Sequence, residues 1–206
     1  MSYTDTTIAN LALSHLGQSG IVAYTENSPK ADKVRRIYPL CRDALLRSHP
    51  WNFAITRAVL TASATAPTFG PAYSYPLPSD CLRIVTLNGQ EAFMNQAFYS
   101  IESGNLITKA DSAKVTYIRR VTDPGEFDET FIEAFSLKLG HMLAQIITQD
   151  PEKEAMLLAK FSEMALPEAQ QTNAQEDDPE VIPPFATSRT WSRRSRHGTG
   201  YFDSDW

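Results

Sequence analysis

The sequence is short of most of what announces chemistry. Its two cysteines, Cys41 and Cys81, sit in unrelated contexts, and its four histidines, His15, His49, His141 and His197, are scattered. Neither set has zinc-ligand spacing, and no export signal favours a disulfide, so reduced buried thiols are expected. There is no glycine-rich phosphate loop and no GxSxG elbow. No apolar run approaches the roughly 18 residues that a membrane-spanning helix needs. The start, Met1-Ser2-Tyr3-Thr4-Asp5, has neither a basic region nor an apolar stretch, so no secretory leader is expected. Cations are not in excess: 19 Lys and Arg face 24 Asp and Glu, for a net charge of −5. Such a chain does not hold nucleic acid by its overall charge. No internal repeat is visible.

What is present is a chain of 206 residues, 42% hydrophobic. That suffices for one domain, or one domain with an insertion and a tail, burying roughly 70% of its unfolded surface without staples. Asp5 or Thr6 can cap a first helix with Ile8, Leu11, Ala12 and Leu16 on one face and Gly17 as its stop. Ser28-Pro29 reads as an N-cap followed by proline at N1, opening a second helix with Val34, Ile37, Tyr38, Cys41 and Leu45 at helical spacing. Pro39 lies inside it and predicts a kink or a restart. His49-Pro50 ends it.

Strand and turn signals then dominate. A strand is expected from Trp51 to about Thr61, an extended Tyr73-Ser74-Tyr75-Pro76-Leu77-Pro78, and a strand over residues 82–87. Asn88-Gly89 and Ser103-Gly104 mark hairpins, and residues 114–119 alternate as a closing strand. Helix returns at Phe127-Asp128-Glu129, with Phe131, Phe135, Leu139, Met142 and Ile146 as a stripe that Ile132, Leu143 and Ile147 widen. So broad an apolar face predicts a central helix, and Gly140 allows a neighbour to approach closely. Asp150-Pro151 opens a fourth helix, which Pro167 interrupts and which runs to about residue 174. Residues 170–184 (QQTNAQEDDPEVIPP) carry little apolar content and suit no stable helix.

Two clusters are candidate sites. Glu126, Asp128, Glu129 and Glu133 could place two carboxylates at glycosidase spacing, although acids at a helix start also serve the helix dipole. Cys41 beside Arg42 could have a lowered pKa, but no histidine or acid is placed to activate it. The tail is distinctive: Phe185, Arg189, Trp191, Arg193, Arg194 and Arg196 interleave aromatics with cations, and Tyr201, Phe202 and Trp206 follow among acids. Spaced aromatic anchors on a polar segment suit docking into a protein partner, with a loose solvated tail and nucleic-acid contact as the alternatives.

The stretch joining helix to strand, residues 37–54 (IYPLCRDALLRSHPWNFA), is the natural clamp between two substructures. Tyr38, Pro39, Arg42, His49, Pro50, Trp51 and Phe53 are the expected joint residues. Together with Arg35 or Arg36, Leu46, the YSYPLPSDCLR segment (residues 73–83) and Phe127 to Phe131, this stretch resembles the tail tubular protein A, or head-to-tail adaptor, family of short-tailed bacteriophages. The similarity covers roughly residues 5–175; the tail beyond carries no matching motif. The resemblance implies a non-enzymatic virion protein, made in the host cytoplasm and located at the head–tail interface. Its partners would be the portal protein, the tail nozzle and, in a closed ring, about a dozen copies of itself. Double-stranded DNA would pass through an acidic lumen that repels phosphate, with no sequence-specific binding, no cofactor and no metal. The alternatives are a virion-associated cell-wall glycosidase and a generic interaction or DNA-binding module.

The fold expected is therefore α+β: a four-helix bundle (residues 1–52 and 122–174), a small antiparallel β-domain inserted between helices 2 and 3 (residues 53–121), and an extended, flexible C-terminal arm (residues 175–206).

Overall fold

The computed structural model describes residues 3–65, 67–91 and 99–176. The tail residues Phe185 to Trp206 named above lie outside them. The described chain is α+β. Helices α1 (Asp5–His15) and α2 (Pro29–Ser48) precede strands β1 (Ile55–Leu60), β2 (Tyr73–Pro76), β3 (Cys81–Leu87), β4 (Gln90–Glu91), β5 (Tyr99–Glu102), β6 (Asn105–Thr108) and β7 (Ala113–Arg119). Helices α3 (Glu129–Ile147), α4 (Pro151–Lys160) and α5 (Leu166–Gln175) follow.

Local chemistry sets most boundaries. Thr4, one residue before the expected cap, accepts a hydrogen bond from the Thr7 N–H, and Gly17 at φ +67° closes α1 in the left-handed conformation. Ser28 caps α2 and Pro29 occupies its first turn, as the sequence suggests. Pro39 does not force a restart: α2 runs uninterrupted from Pro29 to Ser48. Asp128 caps α3 and Asp150 caps α4, each accepting from backbone N–H groups of the first turn. The expected break at Pro167 falls earlier, in a π turn at Phe161–Ala165, so that the proline sits in the first turn of α5, where its missing N–H costs least.

The strands form two antiparallel sheets, ordered β1-β7-β3-β4 and β2-β6-β5. Asn88 and Gly89 both have positive φ, the type I′ requirement, and join β3 to β4. Ser103 and Gly104 do the same for β5 and β6. The expected strand from Trp51 is corrected here: residues Asn52–Ala54 form a 3₁₀ turn, and β1 starts only at Ile55. The two sheets enclose a small core of Tyr75, Ile84, Leu87, Leu106, Ala113, Val115 and Tyr117.

A larger core lies among the helices and extends to Trp51, Ala54 and Ile118. Its centre is α3, which buries Phe131, Ile132, Phe135, Leu139 and Leu143 and packs against α1, α2, α4 and α5. A Cβ at Gly140 would lie 3.2 Å from the Ala12 carbonyl and 3.5 Å from Leu157, so the missing side chain is what lets α1 and α4 close on α3. At the α1–α3 contact, His15 Nε2 lies 3.1 Å from the buried Ser136 hydroxyl, which donates to the Glu133 carbonyl.

Burial holds the His15 pKa below its ordinary 6.5; Lys160 adds to that effect and Glu133 opposes it. The unfolded chain therefore binds this proton more readily than the folded one. His15 leaves stability intact above pH 6.5 and lowers it as pH falls from there through the depressed folded value. Chemical denaturation between pH 7.5 and 5.5 should show falling stability in the native chain and a shallower slope in His15→Gln. Equal slopes would mean that this imidazole is not the source.

Candidate joint between helices and sheet

The helix-to-strand corner draws together residues from α2, α3 and α5. His49, in extended conformation, caps the end of α2, and Trp51 follows with its ring 1% exposed. The indole N–H donates back to the Leu45 carbonyl at 3.1 Å, satisfying one of the carbonyls that a helix end leaves open. The ring meets His49 edge-on at 4.8 Å and Phe131 of α3 at 5.1 Å. Phe53 joins the same group, 5.0 Å from Phe131 and 5.7 Å from Phe127.

The aromatic contacts continue along α3. Phe131 and Phe135, one helical turn apart, lie 6.0 Å from each other, and Phe135 meets Tyr38 at 4.9 Å. Tyr38 in turn packs edge-on against Tyr24 at 5.3 Å. The joint residues at the two ends of the motif, Tyr38 and Trp51, are thus connected through a helix that lies far downstream in sequence. Burial, with the nearby Asp5 charge, pushes the Tyr38 hydroxyl far above the ordinary range, so it stays neutral.

The polar half of the corner closes on α5. Asn173, a buried polar residue, accepts from the Asn52 N–H at 2.8 Å and aims its amide nitrogen at the Pro50 carbonyl and His49 Nε2, each at 3.3 Å. The Asn52 side chain donates to the Asn173 carbonyl at 2.9 Å. Asn173 lies inside the stretch expected to be helical to about residue 174, and α5 does run to Gln175. The polar composition of residues 170–184 nevertheless argued against a helix there and gave no sign that Asn173 is buried. Ala169 and Asn173, four apart, are the buried positions of α5, so one apolar contact and one satisfied amide suffice to seat it.

The arginines serve as ties. Arg42 bonds its neighbour Asp43 at 2.8 Å, and Asp43 reaches Arg120, just after β7, at 2.8 Å. Arg47 donates to the Leu82 carbonyl of β3. Arg35 donates to the Tyr24 and Glu26 carbonyls and pairs with Asp32, fixing the loop before α2. Pro39 and Pro50 are half-buried, and the Pro50 carbonyl accepts from the Asn173 amide.

The two chemical alternatives fare differently from the joint. Cys41 is buried, and that burial pushes its thiol up to about 12, opposite to the lowering that Arg42 suggested. At neutral pH it is a packed thiol, not a nucleophile. Glu126 pairs with Arg119. Asp128 accepts from the Thr130 N–H and hydroxyl. Glu129 and Glu133 are exposed. A cleft of about 180 Å³ does bring Glu126, Asp128 and Glu176 near Trp51, Phe53 and Phe127. It falls below the roughly 300–1,000 Å³ of sites that engulf a small ligand. Among the described residues no three His, Cys, Asp or Glu side chains group to hold a metal, and no helix is long and apolar enough to cross a membrane. No family model matches the sequence, and no curated protein matches it.

Removing the indole should cost about 3–5 kcal/mol in Trp51→Ala, the transfer plus cavity cost of a buried large aromatic. Asn173→Ala should cost about 1–3 kcal/mol, because it strands the Asn52 N–H and the Pro50 carbonyl. Urea unfolding followed by circular dichroism measures both. A Trp51→Ala loss below about 1 kcal/mol would place the ring outside the core.

Proposed function

We propose that this chain is a head-to-tail adaptor of a short-tailed bacteriophage. In this reading a four-helix bundle with an inserted β-domain is repeated about a dozen times in a closed ring between portal and tail nozzle. The protein would be made in the host cytoplasm and end at the head–tail interface of the virion. Double-stranded DNA would pass through the lumen, where the net charge of −5 disfavours retention of phosphates.

The observation that carries the reading is the corner. The residues behind the resemblance, Tyr38, His49, Pro50, Trp51, Phe53 and Phe131, are consumed by internal packing and hydrogen bonds. A motif of this kind specifies shape rather than reactivity, and an adaptor works through shape. The ion pair on Glu126 and the capping role of Asp128 add support, because they give two of the four candidate acids a structural role.

Purified full-length chain mixed with portal rings should add a ring of density below the portal in electron micrographs. A tail variant combining Trp191→Ala, Arg193→Glu and Arg194→Glu should bind about tenfold more weakly or worse, the scale of losing one anchor. Unchanged affinity would remove the tail from the docking role. Absence of any portal binding, together with cell-wall clearing that Glu133→Gln abolishes, would overturn the adaptor reading itself.

A further inference from the structure

One face of the four-stranded sheet is covered only in part. Its register pairs Ile55 with Ile118, Arg57 with Thr116 and Val59 with Lys114, so these six share a face, and Thr86 joins them beside Thr116. The end holding Ile55 and Ile118 packs against the helical core. The other end is open: Val59 is 73% exposed, and Arg57 and Lys114 flank it in solvent. Two adjoining hollows, of about 310 and 680 Å³, run along this face and share Arg57 and Thr116. The second extends past Ile55 to Asn52 and Pro50.

That is where the described chain ends. Asn173 is bonded to Asn52 and Pro50, and Glu176 lines the cleft beside Asn52. The residues that follow read Asp177-Asp178-Pro179-Glu180-Val181-Ile182-Pro183-Pro184-Phe185: acids first, then a short apolar run. The hollow offers the complement, two cations around an exposed valine. Ten extended residues from Glu176 reach at most about 33–36 Å, whereas Ile55 to Val59 spans only about 14 Å. The prolines lack the donors to zip onto the β1 edge but suit an extended segment lying across a face. Tethering supplies an effective concentration on the order of millimolar, so even a weak site is filled.

We infer that residues 177–185 of this same chain dock on the open face of the sheet, with Asp177, Asp178 and Glu180 toward Arg57 and Lys114 and with Val181 and Ile182 over Val59. This intrachain seat is independent of the adaptor reading. It sets the point from which the arginine- and aromatic-rich remainder of the tail leaves the body.

The test uses the full-length chain alone, with benzoylphenylalanine replacing Val181, photolysis in dilute solution and peptide mapping by mass spectrometry. The expected result is intrachain adducts on residues 55–60 or 114–116, at a yield independent of protein concentration. Arg57→Glu with Lys114→Glu should lower that yield about fivefold or more, and adding Asp177→Lys with Asp178→Lys should restore it. Adducts elsewhere on the chain would overturn the proposal. So would interchain adducts that grow with concentration, which would put a second copy in the hollow, or a yield indifferent to charge reversal. Portal binding is not part of this readout, so its outcome leaves the adaptor reading to its own experiment.

Discussion

Burial of the Trp51 ring at the point where helix gives way to sheet is the constraint on which the other contacts depend. A large aromatic at that position has to find apolar company on several sides while its N–H still finds an acceptor. The structure meets both needs with parts distant in sequence: Phe131 from α3 on one side, His49 on another, and the Leu45 carbonyl beneath. Once the ring is seated, the backbone of Pro50 and Asn52 is held at a fixed place, and Asn173 can bond to both. α5 is seated there by the same contacts. The path of β1 follows as well, because the 3₁₀ turn at Asn52–Ala54 leads directly into Ile55.

This arrangement gives the reactive-looking side chains of the stretch structural partners. Arg42 and Arg47 are spent on Asp43 and on the Leu82 carbonyl. Cys41 is packed and protonated, and His49 is bonded within the corner. Each such contact is worth about 1 kcal/mol or less when exposed and more when buried. Together they fix how the sheet sits on the helices, which is what a subunit needs if it is to present the same surfaces in every copy of an assembly. The open Arg57–Val59–Lys114 face is then a place where the polar, proline-rich continuation of the chain has something to recognise.

Features governed by neighbouring residues were legible in the sequence. Asn88-Gly89 and Ser103-Gly104 specify their hairpins because both central residues need positive φ, and Ser28-Pro29 and Asp150-Pro151 specify helix starts through their own hydrogen bonds. Gly140 signalled a close helix approach for a similarly local reason. Features set by long-range contact were not legible. α5 lacks an apolar stripe, and its helix is seated by Ala169 and Asn173 against a corner formed more than a hundred residues earlier. The 3₁₀ turn after Trp51 looked like strand because alternation alone cannot register that the indole is pulled back toward Leu45. Pro39 suggested a kink or a restart, and α2 continues through it without a restart, with Tyr38 and Cys41 buried on either side. The corner was visible as a joint, but its polar latch was not.

The corner and α5 form one cooperative unit with the helical core. The exchange rate of a single amide, Asn52 N–H, tests it most directly, since its partner is the Asn173 side chain at 2.8 Å. If the corner and α5 form one unit with the core, this amide exchanges only through global unfolding, with the same free energy as the slowest amides of α3. Exchange through local opening, at the rate of exposed loops, would contradict it and reduce the corner to a surface turn.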